Sequence, residues 1–303
     1  MNLIGKVAVV TGSGQGLGLA YAKDLARHGA AVVVNDVNPA TADKAVAEIR
    51  ESGGLAVPVV AAVGPTATAQ QLVSTAVEEF GRLDVMVTNA GILRDSVVWK
   101  MTDEAFDSVV DVHLRGTFTC VREAVQRFRE QGEGGRIICI GSPAGQRGNF
   151  GQTNYAGAKA AIVGMVRTWA MELQRAGITA NAVCPVAATA MTETIPFLAP
   201  YIDAMKNGEA LPAIIRREVG MGTPEDAAGI ISFLASDAAA DITGQAISVG
   251  GDRLALWSHP QLTATGYHDG GFSADDVAAE WAGTFADAME SVGEKFPEEL
   301  TTR

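Results

Sequence analysis

Cysteine is scarce in this chain: Cys120, Cys139 and Cys184 are the only three in 303 residues, and none has C-x-x-C spacing. A disulfide frame and a cysteine zinc site are therefore excluded, and the three read as buried apolar residues of a protein in a reducing cytoplasm. Histidine is nearly as rare, and His28, His259 and His268 show no metal-ligand spacing, so no metal is expected. Long apolar runs are missing too. None reaches the ~18 residues of a membrane span, and the N-terminal MNLIGKVAVVTG lacks the basic and long apolar regions of a signal peptide. Positive charge is in deficit, with 23 Lys and Arg against 35 Asp and Glu and a net charge of −12. A nucleic-acid partner would need a basic stripe, and is excluded on that ground. The deficit is uneven: residues 254–303 hold nine acids against two bases (−7), which leaves −5 for the first 253.

What is present is a repeated alternation of apolar runs and amphipathic stretches. Strands are predicted at 6–11, 31–36, 55–60, 83–88, 136–141, 178–184 and 245–249. Helices are predicted at 16–28, 39–51, 67–80, 102–130, 153–176 and 224–235. This pattern implies an α/β fold, a doubly wound, mostly parallel Rossmann-like sheet in a single domain over 1–253. Residues 186–223 break the rhythm. They carry Met191, Phe197, Leu198, Tyr201 and Met205, and are expected to form a lid over an apolar small-molecule substrate. Residues 254–303 form an acidic C-terminal extension with one helix, 274–291, capped by Ser273. Trp281, Phe285 and Met289 share a face of that helix, expected to pack on the body or on a partner subunit.

Between the first strand and first helix lies TGSGQGLG. Its glycines let the backbone turn tightly and approach a pyrophosphate at the helix N-terminus, which makes Gly12, Gln15, Gly16, Leu17 and Gly18 the candidate cradle. Asp36, eighteen residues after Gly18, is placed to accept hydrogen bonds from an adenosine ribose. Its carboxylate would repel a 2′-phosphate, and no Lys or Arg in the loop or at 35–38 offsets it. NAD, rather than NADP, is the expected cofactor.

Tyr155 and Lys159 lie one helical turn apart in YAGAK and so share a face. An ammonium beside the phenol is expected to lower its pKa by ~2–3 units, which would make Tyr155 a general acid/base for an alcohol–ketone pair. Ser142 follows the strand 136–141, at the sheet edge where ligands bind, and could hold the substrate oxygen together with Tyr155.

With these residues assembled, the chain resembles the short-chain dehydrogenase/reductase family over about 3–252. The matching stretches are TGSGQGLG, TNAG at 88–91, the Ser142, Tyr155 and Lys159 set, and NAVCP. NDV at 35–37, VHLRGTF at 112–118, GNFGQTNYAGAK at 148–159 and MTET at 191–194 resemble its 3R-hydroxyacyl-CoA dehydrogenase branch in multifunctional enzyme type 2, also called 17β-hydroxysteroid dehydrogenase type 4. The resemblance implies cofactor contacts from Asn89, Ala90, Gly91, Val63, Tyr155, Lys159 and Thr189. It also implies subunit pairing through helices 102–130 and 153–176 in a dimer or tetramer. The family usually has Asn where this chain has His113, whose role there runs partly through the main-chain carbonyl. Ala62 stands where an acid is usual, and Pro185-Val186 replaces Pro-Gly.

The leading function is an NAD-dependent oxidoreductase acting on a 3-hydroxyacyl thioester or a hydroxysteroid. For an anionic acyl-CoA, Arg94, Arg147 and Lys206 are the candidate local cations. The other function considered is a catalytically inactive dinucleotide sensor. Proteins of that kind lose Tyr or Lys, and this chain keeps both together with Ser142.

Overall fold

The computed structural model describes residues 1–188, 199–294 and 296–301. Seven strands run parallel: β1 (Val7–Val10), β2 (Ala31–Asp36), β3 (Leu55–Val60), β4 (Val85–Thr88), β5 (Gly135–Ile140), β6 (Ile178–Pro185) and β7 (Ala246–Gly250). They lie in the order β3-β2-β1-β4-β5-β6-β7, and an eighth strand closes the β7 edge. Strand order reverses between β1 and β4, the point where such sheets open a crevice for ligands.

The alternation of side chains along each strand supplies two cores. Val10, Val32, Val34 and Ile138 meet Tyr21 and Leu25 of α1 (Gly16–Arg27), Ile49 of α2 (Pro39–Glu51) and Ile231 of α9 (Gly229–Ala235). On the other face Val9, Val33 and Ile137 meet Leu72 of α3 (Thr66–Phe80), Phe128 of α5 (Gly116–Gln131) and Ile162 of α7 (Thr153–Leu173). The three cysteines are free and buried, as read from the sequence. Burial pushes the thiols of Cys120 and Cys139 up to about 12 and that of Cys184 to about 11, so they stay protonated at neutral pH.

Four details depart from the sequence expectations. The helix expected over 102–130 is interrupted: α4 (Asp103–Val110) passes through a π-turn at Asp111–Arg115 into α5. That wider turn carries His113. Arg253–Trp257 form β8, antiparallel to β7, which takes the sheet four residues past 253. The reversal is made by Gly250 and Gly251, both at positive φ. The tail helix is shorter than 274–291, with α10 (Ala274–Glu280) followed by a π-turn and a single-turn 3₁₀ helix ending at Ala288. Ser273 caps it as expected; of the face named above, Trp281 and Met289 remain 50% and 64% exposed while Phe285 is half-buried.

Within 186–223, α6 having been formed earlier by Pro143–Arg147, the chain forms α8 (Ala199–Lys206) and a π-turn at Ile215–Val219. Ile202, Ile215, Val219 and Met221 make a small apolar core of their own. Arg216 ties it to the main sheet through Asp252 and Asp226. Thr189, and with it Met191, Phe197, Leu198 and the 191–194 stretch, lies outside the described residues. Among the described residues no helix is long and apolar enough to cross a membrane.

Candidate active site

The glycine loop sits in the crevice between β1 and β4. Asn89, past the end of β4, donates through Nδ2 to the carbonyls of Thr11 at 3.0 Å and Gly12 at 2.9 Å. The N–H groups of Asn89 and Ala90 both donate to Thr11 Oγ1, at 2.9 and 3.0 Å. Gly12 is turned to φ +61°, where a side chain would be strained. A Cβ on Gly18 would overlap the Gly12 carbonyl and come within 2.5 Å of Asn89 Nδ2. Gln15 occupies the N-cap of α1 and makes no side-chain cap, so the first-turn N–H groups over Gly16, Leu17 and Gly18 have no capping partner. Those donors, the glycine cradle and the carboxylate of Asp36 fit a dinucleotide phosphate and ribose. Asp36 Oδ2 accepts from Gly14 N–H at 3.1 Å and Oδ1 from Asn38 N–H at 3.0 Å, so the loop and the end of β2 hold one another. Val63, just past β3, packs with the α3–α5 core, and Ala62 before it is exposed.

Ser142, Tyr155, Lys159 and His113 come together at the C-terminal edge of β5. Ser142 is 9% exposed and caps α6, accepting from Ala144 N–H at 3.2 Å. Lys159, one turn beyond Tyr155 along α7, is buried and donates to the Ile140 carbonyl at 2.6 Å. Its Nζ lies 5.6 Å from the Tyr155 ring centroid. Burial lowers the Lys159 pKa to about 8.

One electrostatic expectation is corrected here. Lys159 does not bring the phenol below its ordinary value; burial raises the Tyr155 pKa, and the neighbouring Ser142 hydroxyl opposes that only in part. Desolvation of a phenolate outweighs an ammonium that burial itself discourages from charging. His113 is 1% exposed and stands edge-on to Tyr155, with centroids 5.2 Å apart at 88°. Burial, helped by the nearby Lys159 charge, lowers its pKa to about 3, so the ring is neutral at working pH. Its Nε2 lies 3.0 Å from Ile92 N and 2.8 Å from Ile92 O. A Cβ on Gly91 would collide with this ring, which explains glycine at that position.

The sequence pattern of the short chain dehydrogenase family matches residues 6–196. The chain is also 41% identical to hydroxyacyl-CoA dehydrogenase ChsB1 of Mycobacterium tuberculosis, over 91% of this chain and 85% of that one. This chain belongs to the short-chain dehydrogenase/reductase family. Its second relative of note is peroxisomal multifunctional enzyme type 2 of Mus musculus, 41% identical over 70% of this chain but only 29% of that much longer one. A crystal structure of a short chain dehydrogenase from Mycobacterium avium superposes with a TM-score of 0.82 at 34% identity, covering 96% of this chain and 98% of the other. The resemblance drawn from the motifs, to the hydroxyacyl-CoA dehydrogenase and multifunctional-enzyme branch, holds. The chain is an oxidoreductase of this family, which typically uses a nicotinamide dinucleotide.

Several residues of this short-chain dehydrogenase's site escaped the sequence reading. Asn154 is 1% exposed; its Oδ1 accepts from Tyr155 N–H at 2.8 Å, and its Nδ2 donates to the carbonyls of Arg94 and Ala105, each at 3.0 Å. Gln152 Nε2 donates to Asp95 Oδ2 at 2.8 Å, and Ser96 bridges to Gln152. These braces anchor the start of α7 to the loop after β4, and so fix where Tyr155 points. Asn35 is 1% exposed and donates to the carbonyls of Val59 and Ala61, holding β3 beside the glycine loop. The polar residues immediately before Tyr155 were the one available signal, and their partners lie 49 to 60 residues away.

Proposed function

We propose that this enzyme interconverts a secondary alcohol and a ketone on a bulky apolar substrate, a 3-hydroxyacyl thioester, with NAD and with Tyr155 as general acid/base. The observation that carries the reading is the buried Lys159 with its Nζ 5.6 Å from the Tyr155 ring centroid, beside Ser142 at the sheet edge next to the glycine cradle. The relatives named for hydroxyacyl-CoA and multifunctional enzymes support the thioester class. The small apolar core of the lid supports an apolar chain.

Gly12, Gln15, Gly16, Leu17, Gly18, Asp36, Val63, Asn89, Ala90, Gly91, Tyr155 and Lys159 would hold the dinucleotide, which when bound supplies the hydride acceptor or donor. Ser142 and Tyr155 hold the substrate oxygen between their hydroxyls. In oxidation the Tyr155 phenolate takes the alcohol proton; in reduction the phenol returns it to the forming alkoxide. Lys159 is held one turn beyond the phenol by its bond to the Ile140 carbonyl, and neutral His113 walls the ring so that it cannot swing from the oxygen. Asp36 disfavours a 2′-phosphate through like-charge repulsion.

Initial rates with 3R- and 3S-hydroxyacyl-CoAs, hydroxysteroids and a hydroxyacyl carrier protein, each with NAD and NADP, test this reading. Turnover of a hydroxyacyl-CoA is expected, with NAD preferred at least about tenfold, or ~1.4 kcal/mol. A preference for NADP would refute the role given to Asp36, and turnover of hydroxysteroids alone would refute the thioester. The enzyme is further proposed to act as a homo-oligomer in the cytoplasm. Phe106, Phe118 and Met171 on α4, α5 and α7 are 42%, 43% and 74% exposed, an apolar display suited to helix pairing between subunits. Light scattering should give a multiple of 31.4 kDa, and a monomer at micromolar concentration would contradict this.

A further inference from the structure

Two loops close on one another beside Tyr155. The Ser96 N–H donates to the Gly151 carbonyl at 2.8 Å, and Ser96 bridges to Gln152. Gln152, three residues before Tyr155, is only 7% exposed. Both ends of its amide are held. A carboxylate only accepts, so the nitrogen end faces Asp95, with Nε2 donating to Oδ2 at 2.8 Å. That leaves Oε1 to accept from Asn149 Nδ2 at 2.9 Å. Nε2 carries two hydrogens, and among the described residues only one of them has an acceptor. A donor this sheltered is costly to leave unpaired, which points to an acceptor that the substrate brings. The Asp95 charge also reaches the Tyr155 phenol, where it opposes the phenolate.

Positions three apart at the start of a helix share a face, which puts the Gln152 amide on the Tyr155 side of α7. A 3-hydroxyacyl thioester has a second oxygen, the C1 carbonyl, two carbons from the one that reacts. Resting on the thioester reading above, we propose that Gln152 donates its second N–H to this carbonyl while Ser142 and Tyr155 hold the C3 oxygen. Asp95 is then a positioning residue with a second effect. It fixes which way the amide faces, and its charge behind Nε2 repels a free carboxylate at C1 but not a neutral thioester. The site therefore selects thioesters over free 3-oxo or 3-hydroxy acids and over plain ketones.

The test measures kcat/KM for reduction of three probes by the full-length wild type, Gln152→Met and Asp95→Asn. The probes are the N-acetylcysteamine thioester of 3-oxohexanoate, 3-oxohexanoate itself and 3-hexanone. Gln152→Met should lower the thioester to hexanone ratio about tenfold, since only the thioester has the second carbonyl. Any loss from a disturbed α7 falls on both probes and cancels in this ratio. Asp95→Asn keeps an acceptor for Nε2 and removes only the charge, so it reads the proposal even where Gln152→Met fails to fold. It should raise the acid to thioester ratio about fivefold, and less at high salt, because Asp95 is exposed. Equal losses on thioester and hexanone in Gln152→Met would make Gln152 a brace only and overturn the proposal alone. An unchanged acid to thioester ratio in Asp95→Asn would overturn the part given to Asp95. A wild type inactive on every thioester, CoA esters included, would overturn the thioester reading as well.

Discussion

Replacing Tyr155 by Phe should cut turnover about a thousandfold while leaving NADH affinity within about twofold. The substitution removes one oxygen and nothing of the ring, so its edge-on contact with His113 is preserved. The Ser142 hydroxyl also stays, still able to hold a substrate oxygen but with no group to exchange the proton. General acid–base catalysis of this kind contributes typically 10²–10⁴-fold, which sets the size of the expected loss. The loss should appear in kcat, because proton transfer stabilises the transition state more than the bound substrate. Steady-state rates in both directions, with a fluorescence titration of NADH, measure it. A variant that keeps more than a tenth of wild-type turnover would remove Tyr155 from the chemistry.

Gly18→Ala is expected to damage the cofactor cradle and the fold together. The added methyl overlaps the Gly12 carbonyl and lies 2.5 Å from Asn89 Nδ2 and 2.8 Å from Ser13 Cα, two of them backbone atoms that cannot rotate aside. Relief requires the loop to move off the β4 end, breaking the Asn89 bonds to Thr11 and Gly12. Overpacking of this sort costs about 1–3 kcal/mol, or some 2–6 °C in Tm for a domain of this size. NADH affinity should fall at least tenfold, since the first-turn N–H groups of α1 would no longer face the crevice. Thermal unfolding with and without NADH checks both parts. An unchanged Tm and an unchanged affinity would mean that Gly18 is only a turn residue.

The alternation of apolar runs, the glycine loop and the YAGAK spacing made the sheet, the crevice and the Tyr155–Lys159 pairing legible, because each is written in neighbouring residues. Other features were hidden for definite reasons. The π-turn at Asp111–Arg115 keeps a helical composition and differs only by one residue in its hydrogen bonding. In β8, Leu254 and Leu256 are 68% and 69% exposed, so the strand lacks the buried apolar run that marked the others. The braces at Asp95, Asn154 and Arg94 join loops far apart in sequence. The hydrogen bond from Arg147 Nε to the Gly293 carbonyl spans 146 residues and has no local pattern at either end. The Tyr155 pKa went astray for a related reason: spacing shows that a lysine is near, but not how dry the pair is.

That dryness makes the pH dependence informative. Oxidation requires the phenolate and reduction the phenol, and burial places the unassisted Tyr155 above its ordinary value. Oxidation should therefore speed up as pH rises and reduction should slow, with both slopes belonging to Tyr155. The decisive measurement is kcat/KM against pH for a 3R-hydroxyacyl-CoA with NAD and for the matching 3-oxoacyl-CoA with NADH, in the wild type and in Tyr155→Phe. The expected result is opposite slopes in the wild type and a low, flat residual rate in the variant. Parallel slopes in the two directions, or a variant that keeps the wild-type profile, would contradict proton transfer through Tyr155.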